Sequence, residues 1–296
     1  MSHSPTFERF VAPARARPQL WRTVLGLGVI LLVYVLWMLF MAGGVWLAVG
    51  GASVEGALGE IGMGGDPVSL VLLLFTFTGM ALGCFVAVRL LHARGAGTLF
   101  GRAPVVLRDF AVGAGILAGV AIVGGVPLLL SIDTDPGVEL RVWLVFLPMA
   151  LAGLLVQTAA EELVFRGYLQ QQLAARFASP VVWMLLPSVL FGLVHYAPAE
   201  MGPNTWHVVL ATGVFGLVAA DLTARSGSLG LAWGLHFANN VFAILFVTMG
   251  GSLDGLALFR LPFGPDDTEA MRPLIYGDIA ALALTWGLCR LWLRAR

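Results

Sequence analysis

Long apolar runs separated by short polar segments dominate this chain. Residues 142–160, for example, include nineteen positions without a charge, close to the roughly 20 apolar residues that cross a bilayer as a helix. We predict eight apolar segments, some of them shorter than a full crossing. They lie near residues 24–49, 68–91, 110–130, 142–164, 181–196, 208–222, 229–249 and 273–292. The pattern therefore predicts an all-α, polytopic transmembrane helix bundle with about eight spans.

Composition supports the membrane assignment and excludes other classes. The 296-residue chain is 59% hydrophobic and 11% charged, whereas soluble domains carry roughly 25% charged residues. The formal net charge is zero, so nothing favours a nucleic acid partner. Cys84 and Cys289 lie in apolar runs without paired spacing and are expected to be packing residues. We predict a single membrane-embedded domain over residues 1–296, with its motif-bearing core at about 145–250.

The arginines indicate how the chain is oriented in the bilayer. With the N-terminus inside, fourteen of the 17 basic residues fall in cytoplasmic segments, as the positive-inside rule requires. The exceptions are Arg141, Arg260 and Arg272. Residues 1–22 are interpreted as a polar tail before a retained first helix, because the following apolar run is too long for a signal sequence. We expect an integral protein of the inner or plasma membrane with both termini cytoplasmic.

Two adjacent glutamates follow the uncharged residues 142–160. A charge at the centre of a membrane helix costs about 3 kcal/mol even on insertion-based scales, so such residues persist where they face a partner or a wet cavity. Glu162 and Arg166 are four residues apart and can pair on one helix face. Glu161 has no cation at that spacing. We predict a structural role for Glu162 and a chemical role for Glu161; the alternative is that both mark the end of the helix.

Two histidines stand inside later apolar runs, each with a partner four residues away. His195 shares a helix face with Phe191, and His236 shares one with Asn240. Ionisable residues inside a membrane usually face the bundle interior and are functional candidates, although each histidine could instead form only a hydrogen bond between helices. The other histidines, expected to face solvent or lipid headgroups, are His3, His92 and His207.

These side chains fit two kinds of hydrolytic site. Amide hydrolysis needs a base to activate water, a proton for the leaving amine and donors for the oxyanion, which a buried glutamate, imidazoles and an asparagine amide can supply. Two histidines and a glutamate are also a plausible zinc-ligand set with one position open for water. The HExxH pattern of soluble zinc proteases is absent, and no serine lies in a comparable polar cluster. A serine nucleophile is therefore disfavoured.

The order of the motifs resembles that of a known family. The motifs are Glu161-Glu162-xxx-Arg166, then Phe191-xxx-His195, then His236-xxx-Asn240. This arrangement is similar to the CAAX-processing and bacteriocin-processing family of intramembrane proteases, which is related to the CAAX prenyl endopeptidase. The resemblance covers about residues 145–250, and the rest of the chain matches only as further spans.

The resemblance implies an intramembrane endopeptidase in which Glu161 activates water. Glu162 and Arg166 would support that glutamate, and His195 would be a second catalytic imidazole. The family has been described both as metal-dependent and as glutamate-based. A divalent metal such as zinc is therefore left open as a cofactor.

The resemblance also implies how the substrate is held. His236 and Asn240 would polarise the scissile carbonyl and stabilise its oxyanion; Asn239 lacks the four-residue spacing and is the less favoured amide. The substrate would be a membrane-embedded or lipidated peptide, such as a prenylated C-terminus. Two alternatives are a non-catalytic membrane scaffold or immunity protein that uses the same cavity for partner binding, and a proton-coupled carrier. Against the carrier, the chain has no inverted repeat of spans.

The depth of His195 in the membrane tests this assignment. At ~1.5 Å per residue, His195 lies about 21 Å beyond Val181, which would put it far from Glu161 if the fifth span starts there. A break at Pro187 would bring His195 back, and a fourth membrane helix that begins at Pro148 would place Glu161 more than a turn from its cytoplasmic end. We therefore predict helix boundaries at both prolines.

Overall fold

Apolar helices make up most of the chain. The computed structural model describes residues 4–295. Its α-helices are α1 (Pro5–Val11), α2 (Leu20–Val49), α3 (Val54–Met63), α4 (Pro67–Thr76), α5 (Thr78–His92), α6 (Ala103–Val120), α7 (Val126–Leu130), α8 (Leu140–Glu162), α9 (Gln171–Arg176), α10 (Leu186–Leu193), α11 (Pro198–Met201), α12 (Thr205–Ser226), α13 (Gly230–Val241) and α14 (Thr268–Arg294). Short π-helical segments adjoin several of them, at Ala121–Gly125, Leu163–Gln170, Val181–Leu185 and Phe242–Phe246. The predicted all-α polytopic class is confirmed.

Six helical segments of the described chain are long and apolar enough to cross a membrane. They are Leu20–Val49, Pro67–His92, Ala103–Leu130, Leu140–Arg176, Pro198–Ser226 and Thr268–Arg294. Two further apolar helices, Val181–Leu193 and Gly230–Phe246, are shorter. The first of these is about 20 Å long at ~1.5 Å per residue, less than the ~30 Å hydrocarbon core. The eight predicted apolar segments are thus all helical, and the two short ones carry or adjoin the candidate histidines.

The boundary predicted at Pro148 is wrong, whereas at Pro187 the helix changes from π-helical to α-helical without a break in the helical segment. Pro148 is in the interior of α8, which begins at Leu140. The helical segment Leu140–Arg176 extends over 37 residues. Pro187 lies in the first turn of α10, directly after the π-helical residues Val181–Leu185. The chain accommodates that proline after a locally widened turn instead of ending the helix, as π-bulges in other helices allow.

A small three-stranded sheet joins the loops at one end of the bundle. Its strands are β1 (Asp135–Pro136), β2 (Val247–Met249) and β3 (Phe259–Leu261), in the order β1-β3-β2. β1 pairs antiparallel with β3, and β2 pairs parallel with it. The sheet therefore ties the connection before α8 to the connection between α13 and α14.

The polar tail predicted for residues 1–22 is wrong for the part that the structure describes. α1 buries Phe7, Phe10 and Val11, each no more than 3% exposed. The Phe7 ring lies 4.9 Å from the ring of Trp183, and the Gln171 amide donates to the Phe10 carbonyl oxygen at 2.7 Å. Phenylalanines within an arginine-rich stretch thus dock this segment onto the bundle.

Of the histidines outside the motifs, His92 differs from the prediction. His92 is buried, with Nε2 2.9 Å from the Tyr168 hydroxyl and Nδ1 3.1 Å from the Arg17 carbonyl oxygen. The expectation that it faces solvent is therefore wrong. His207 is half-buried beside the Tyr276 ring, with ring centroids 5.9 Å apart. His3 lies outside the described residues.

α13 packs against α6 with the two backbones in direct contact. A Cβ on Gly234 would lie 2.2 Å from the carbonyl oxygen of Phe110, and one on Gly230 would lie 2.4 Å from that of Val106. Small residues one turn apart allow membrane helices to approach in this way. Because His236 follows Gly234 by two residues, this contact fixes the height and rotation of the helix segment that carries the histidine.

We expect Gly234→Ala to destabilise the protein, because the new methyl group meets backbone that cannot move aside cheaply. Overpacking of this kind costs roughly 1–3 kcal/mol. The matched control is Gly119→Ala on α6, where an added Cβ meets nothing within 4 Å. Thermal unfolding in detergent measures both variants. Equal unfolding midpoints for the two would contradict the close contact between α6 and α13.

Candidate active site

The glutamates and the arginine of the first motif lie at the junction of α8 and the π-helical segment after it. Arg166 Nη1 donates to Glu162 Oε1 at 3.2 Å, and both side chains are at most 2% exposed. The pair has the predicted four-residue spacing. Since Glu162 is the last residue of α8, the pair lies where the helix widens, a feature that often accompanies functional sites.

His236 lies between the two glutamates. Its Nδ1 is 2.9 Å from Glu162 Oε1, and its Nε2 is 3.5 Å from Glu161 Oε2. An ionised carboxylate only accepts hydrogen bonds, so Nδ1 carries a hydrogen that it donates to Glu162. Nε2 is then the imidazole nitrogen that faces Glu161. Glu162 thus orients the imidazole, with Arg166 on the same carboxylate oxygen.

Gln157 completes this cluster, although it belongs to none of the three motifs. Its Nε2 donates to Glu161 Oε1 at 2.7 Å, and its Oε1 accepts from Asn240 Nδ2 at 2.8 Å. The sequence did hold an indication, because Gln157 is an amide inside an uncharged run and precedes Glu161 by one helical turn. Its bond to Asn240 could not be seen in the sequence, since 83 residues separate the two.

The two neighbouring amides at the end of α13 make different contacts. Asn240 reaches across to α8 through Gln157. Asn239 Nδ2 donates to Asn240 Oδ1 at 3.3 Å and lies on the next position round the helix. The contact between α8 and α13 therefore involves Asn240, which has the four-residue spacing from His236.

His195 is linked to the cluster through an aromatic ring. Its Nδ1 is 2.8 Å from the Phe191 carbonyl oxygen, so Nδ1 carries the hydrogen and Nε2 is the available nitrogen. The Phe191 ring lies 4.9 Å from the His195 ring and 6.0 Å from the His236 ring, centroid to centroid. Within residues 4–295, His195 has no hydrogen bond to Glu161 or His236. The structure therefore brings five of the six candidates together in two hydrogen-bonded groups, which the 3.5 Å contact between His236 and Glu161 joins, with His195 beside them.

Residue spacing places His195 and Glu161 at similar heights on two helical segments that a short connection joins. Glu161 precedes Arg176 by 15 residues, and His195 follows Pro180 by 15 residues. Equal distances from a short connection put two residues side by side. The Phe165 and Phe191 rings, 5.0 Å apart, join the two helices nearby. His195 can therefore reach the depth of Glu161 in the membrane without a helix break at Pro187.

Three phenyl rings surround the Arg166 guanidinium. Its central carbon lies 4.5 Å from the Phe191 ring centroid, 5.8 Å from that of Phe215 and 5.9 Å from that of Phe165. A cation over an aromatic face is attracted by the ring, by about 2 kcal/mol or more where water is excluded. The rings therefore offset part of the cost of burying this charge.

The donor geometry does not fit a bound metal. Among the described residues, no group of three or more His, Cys, Asp or Glu side chains could hold a metal ion. Both nitrogens of His236 face carboxylates, and Nδ1 of His195 faces a carbonyl oxygen. The zinc-ligand interpretation and the metalloprotease expectation gain no support from these residues.

The fold and the site together define a polytopic helical membrane protein with a buried carboxylate, imidazole and amide cluster between two helices. Residues 143–242 match the family described as "Type II CAAX prenyl endopeptidase Rce1-like". The matched segment runs from the first turn of α8 to just past α13, so it contains all six candidate residues. The family resemblance inferred from the motifs is confirmed over this segment, and the family is one of membrane proteases.

A Bacillus subtilis (strain 168) protein, described as "Uncharacterized protein YyaK", is 33% identical over 147 residues. The aligned region is 49% of this chain and 48% of that protein, so the chain spans about half the length of this relative. No solved structure matches the chain.

Proposed function

We propose that this protein is an intramembrane endopeptidase that hydrolyses a peptide bond in a membrane-embedded or lipidated peptide. The observation that carries the proposal is the Glu161 carboxylate, only 13% exposed and held against Gln157 and His236 inside the segment that matches a protease family. The family description favours a prenylated C-terminus as the substrate class. The lipid bilayer is the second partner, and the neutral formal charge of the chain favours no nucleic acid.

Glu161 is the base that we assign to water activation. Its Oε1 accepts the Gln157 N–H, while its Oε2 has no hydrogen-bond donor among residues 4–295. A carboxylate oxygen in that situation can take a proton from water. The oxygen of that water then adds to the scissile carbonyl carbon. As the C–N bond breaks, the proton on Glu161 passes to the leaving nitrogen, so the atoms of one water are divided between the acid and amine products.

His236 and Asn240 are assigned to the carbonyl oxygen. Asn240 uses one N–H for Gln157, so its second N–H can bind the oxyanion that develops in the transition state. His236 directs Nε2 towards Glu161, and we assign this nitrogen to donate to the oxyanion once it carries a proton. Glu162 and Arg166 support the base indirectly, because they fix the orientation of the imidazole.

His195 is assigned as the second imidazole of the reaction. Its Nδ1 is occupied by the Phe191 carbonyl oxygen, which leaves Nε2 to relay the proton that Glu161 has taken from water to the leaving amine. With Glu161 as the base and His195 as the second imidazole, we propose that hydrolysis is glutamate-based.

The arginine distribution supports a proposal about orientation. We propose that the site is reached from the cytoplasmic side of an inner or plasma membrane and that both termini are cytoplasmic.

Cleavage of defined peptides by the purified protein tests this function. We expect the protein in lipid vesicles to cleave a prenylated peptide that ends in a CAAX motif, and to do so equally with and without a metal chelator. The unprenylated peptide is the matched control. Cleavage that is lost with chelator and restored by zinc would contradict the glutamate-based assignment. Peptide binding without cleavage would favour the scaffold, and proton movement across the vesicle membrane would favour the carrier.

A further inference from the structure

We infer that Gln157 is a positioning residue that holds the Glu161 carboxylate and the Asn240 amide in the orientations that catalysis needs. The inference rests on the proposed function, since Glu161 and Asn240 are its assigned base and oxyanion donor. Neither the motifs nor the family match singles out Gln157.

Hydrogen-bond chemistry allows only one orientation of the Gln157 amide between Glu161 and Asn240. A Glu161 carboxylate oxygen accepts and does not donate when ionised, so the Gln157 group facing it must be the NH₂ group. The carbonyl oxygen of Gln157 then faces Asn240 and must meet its NH₂ group. The distances of 2.7 and 2.8 Å fit two good hydrogen bonds. The negative charge on Glu161 thus determines the orientation of the Gln157 amide, and Gln157 in turn determines the orientation of the Asn240 amide.

Burial makes the arrangement rigid. Gln157 is 7% exposed, so water competes little for its two hydrogen bonds, and loss of either one would strand a polar group at low dielectric. The side chain also spans two elements, since Glu161 belongs to α8 and Asn240 to α13. Any sliding of α13 along α8 would therefore disturb the hydrogen bonds of Gln157 to both Glu161 and Asn240.

A second hydrogen bond between the same helices provides a control. Trp233 Nε1 donates to Thr158 Oγ1 at 3.1 Å. Thr158 is adjacent to Gln157 in sequence and is fully buried, but among residues 4–295 the hydrogen bonds of its side chain go to Leu154 and Trp233 and to no member of the candidate site. If Gln157 only held the helices together, its loss would resemble the loss of the Thr158 hydroxyl.

The experiment compares Gln157→Met with Thr158→Val in the intact protein, with a prenylated peptide ending in a CAAX motif as probe. We expect Gln157→Met to lower kcat by about 10- to 100-fold, the scale of a small misplacement of catalytic groups, with KM little changed. Thr158→Val should keep the wild-type kcat. Gln157→Asn, which keeps an amide on a side chain one methylene too short to meet both Glu161 and Asn240, should lower kcat in the same way and serves where Gln157→Met does not fold.

An infrared measurement reports on the contact without any cleavage. The carboxylate stretching bands of Glu161, identified by their loss in Glu161→Gln, should shift in Gln157→Met and stay unchanged in Thr158→Val. Unshifted bands in the Gln157 variant, or an equal fall of kcat in Thr158→Val, would overturn the inference. A wild-type protein that cleaves none of the peptides would contradict the proposed function, and the infrared bands would still decide whether Gln157 holds the carboxylate.

Discussion

Glu161→Gln is expected to abolish peptide cleavage and leave the fold nearly unchanged. The amide has the shape of the carboxylate but cannot take a proton from water, and general base catalysis contributes roughly 10²- to 10⁴-fold. The side chain is 13% exposed, and the carbonyl oxygen of the replacement amide can still accept the Gln157 N–H. Cleavage of the prenylated peptide measures the first expectation, and thermal unfolding in detergent measures the second.

The control for this variant is Glu139→Gln. Glu139 is exposed and directly precedes α8. The same change from carboxylate to amide therefore occurs at the opposite end of α8, away from the cluster. We expect wild-type cleavage from Glu139→Gln. Near wild-type cleavage by Glu161→Gln would instead show that another group activates water, and a large fall in its unfolding midpoint would show that the carboxylate is structural.

Contacts within one helix could be predicted from the sequence because they follow from helical periodicity. The Glu162 and Arg166 pair is an example, since residues four apart meet on one face. The common face of His236 and Asn240 is another, and both residues contact α8. The apolar runs likewise indicated the eight helical segments, because a bilayer requires backbone hydrogen bonds to be satisfied within each segment.

Contacts between helices could not be predicted, because they depend on how the segments pack. The bond from Asn240 to Gln157 and the rings around Arg166 join residues far apart in the chain. The error at Pro148 has another origin: membrane helices tolerate proline in their interior, so a proline need not end one. The depth of His195 depended on the length of the preceding connection, which hydropathy alone does not define.

The second large effect is expected at the buried ion pair. Replacing Arg166 by methionine keeps an unbranched apolar side chain among the three phenyl rings and removes only the charge and its hydrogen bond. Glu162 then keeps a single donor, Nδ1 of His236. Leaving one charge of a buried pair uncompensated costs roughly 3–5 kcal/mol, and we expect the lower end of that range because His236 remains. The unfolding midpoint in detergent should fall accordingly.

The double variant Glu162→Gln with Arg166→Met should recover much of that loss, because no unpaired charge stays buried. The matched control is Arg225→Met. Arg225 forms an ion pair of the same four-residue spacing with Asp221 at 2.8 Å, but its side chain is 45% exposed. Exposed pairs of this kind contribute about 0–1 kcal/mol, so this variant should barely change the midpoint. A double variant no more stable than Arg166→Met would mean that Glu162 and Arg166 do not stabilise each other as a pair, and the support that we assign them for His236 would fail with it.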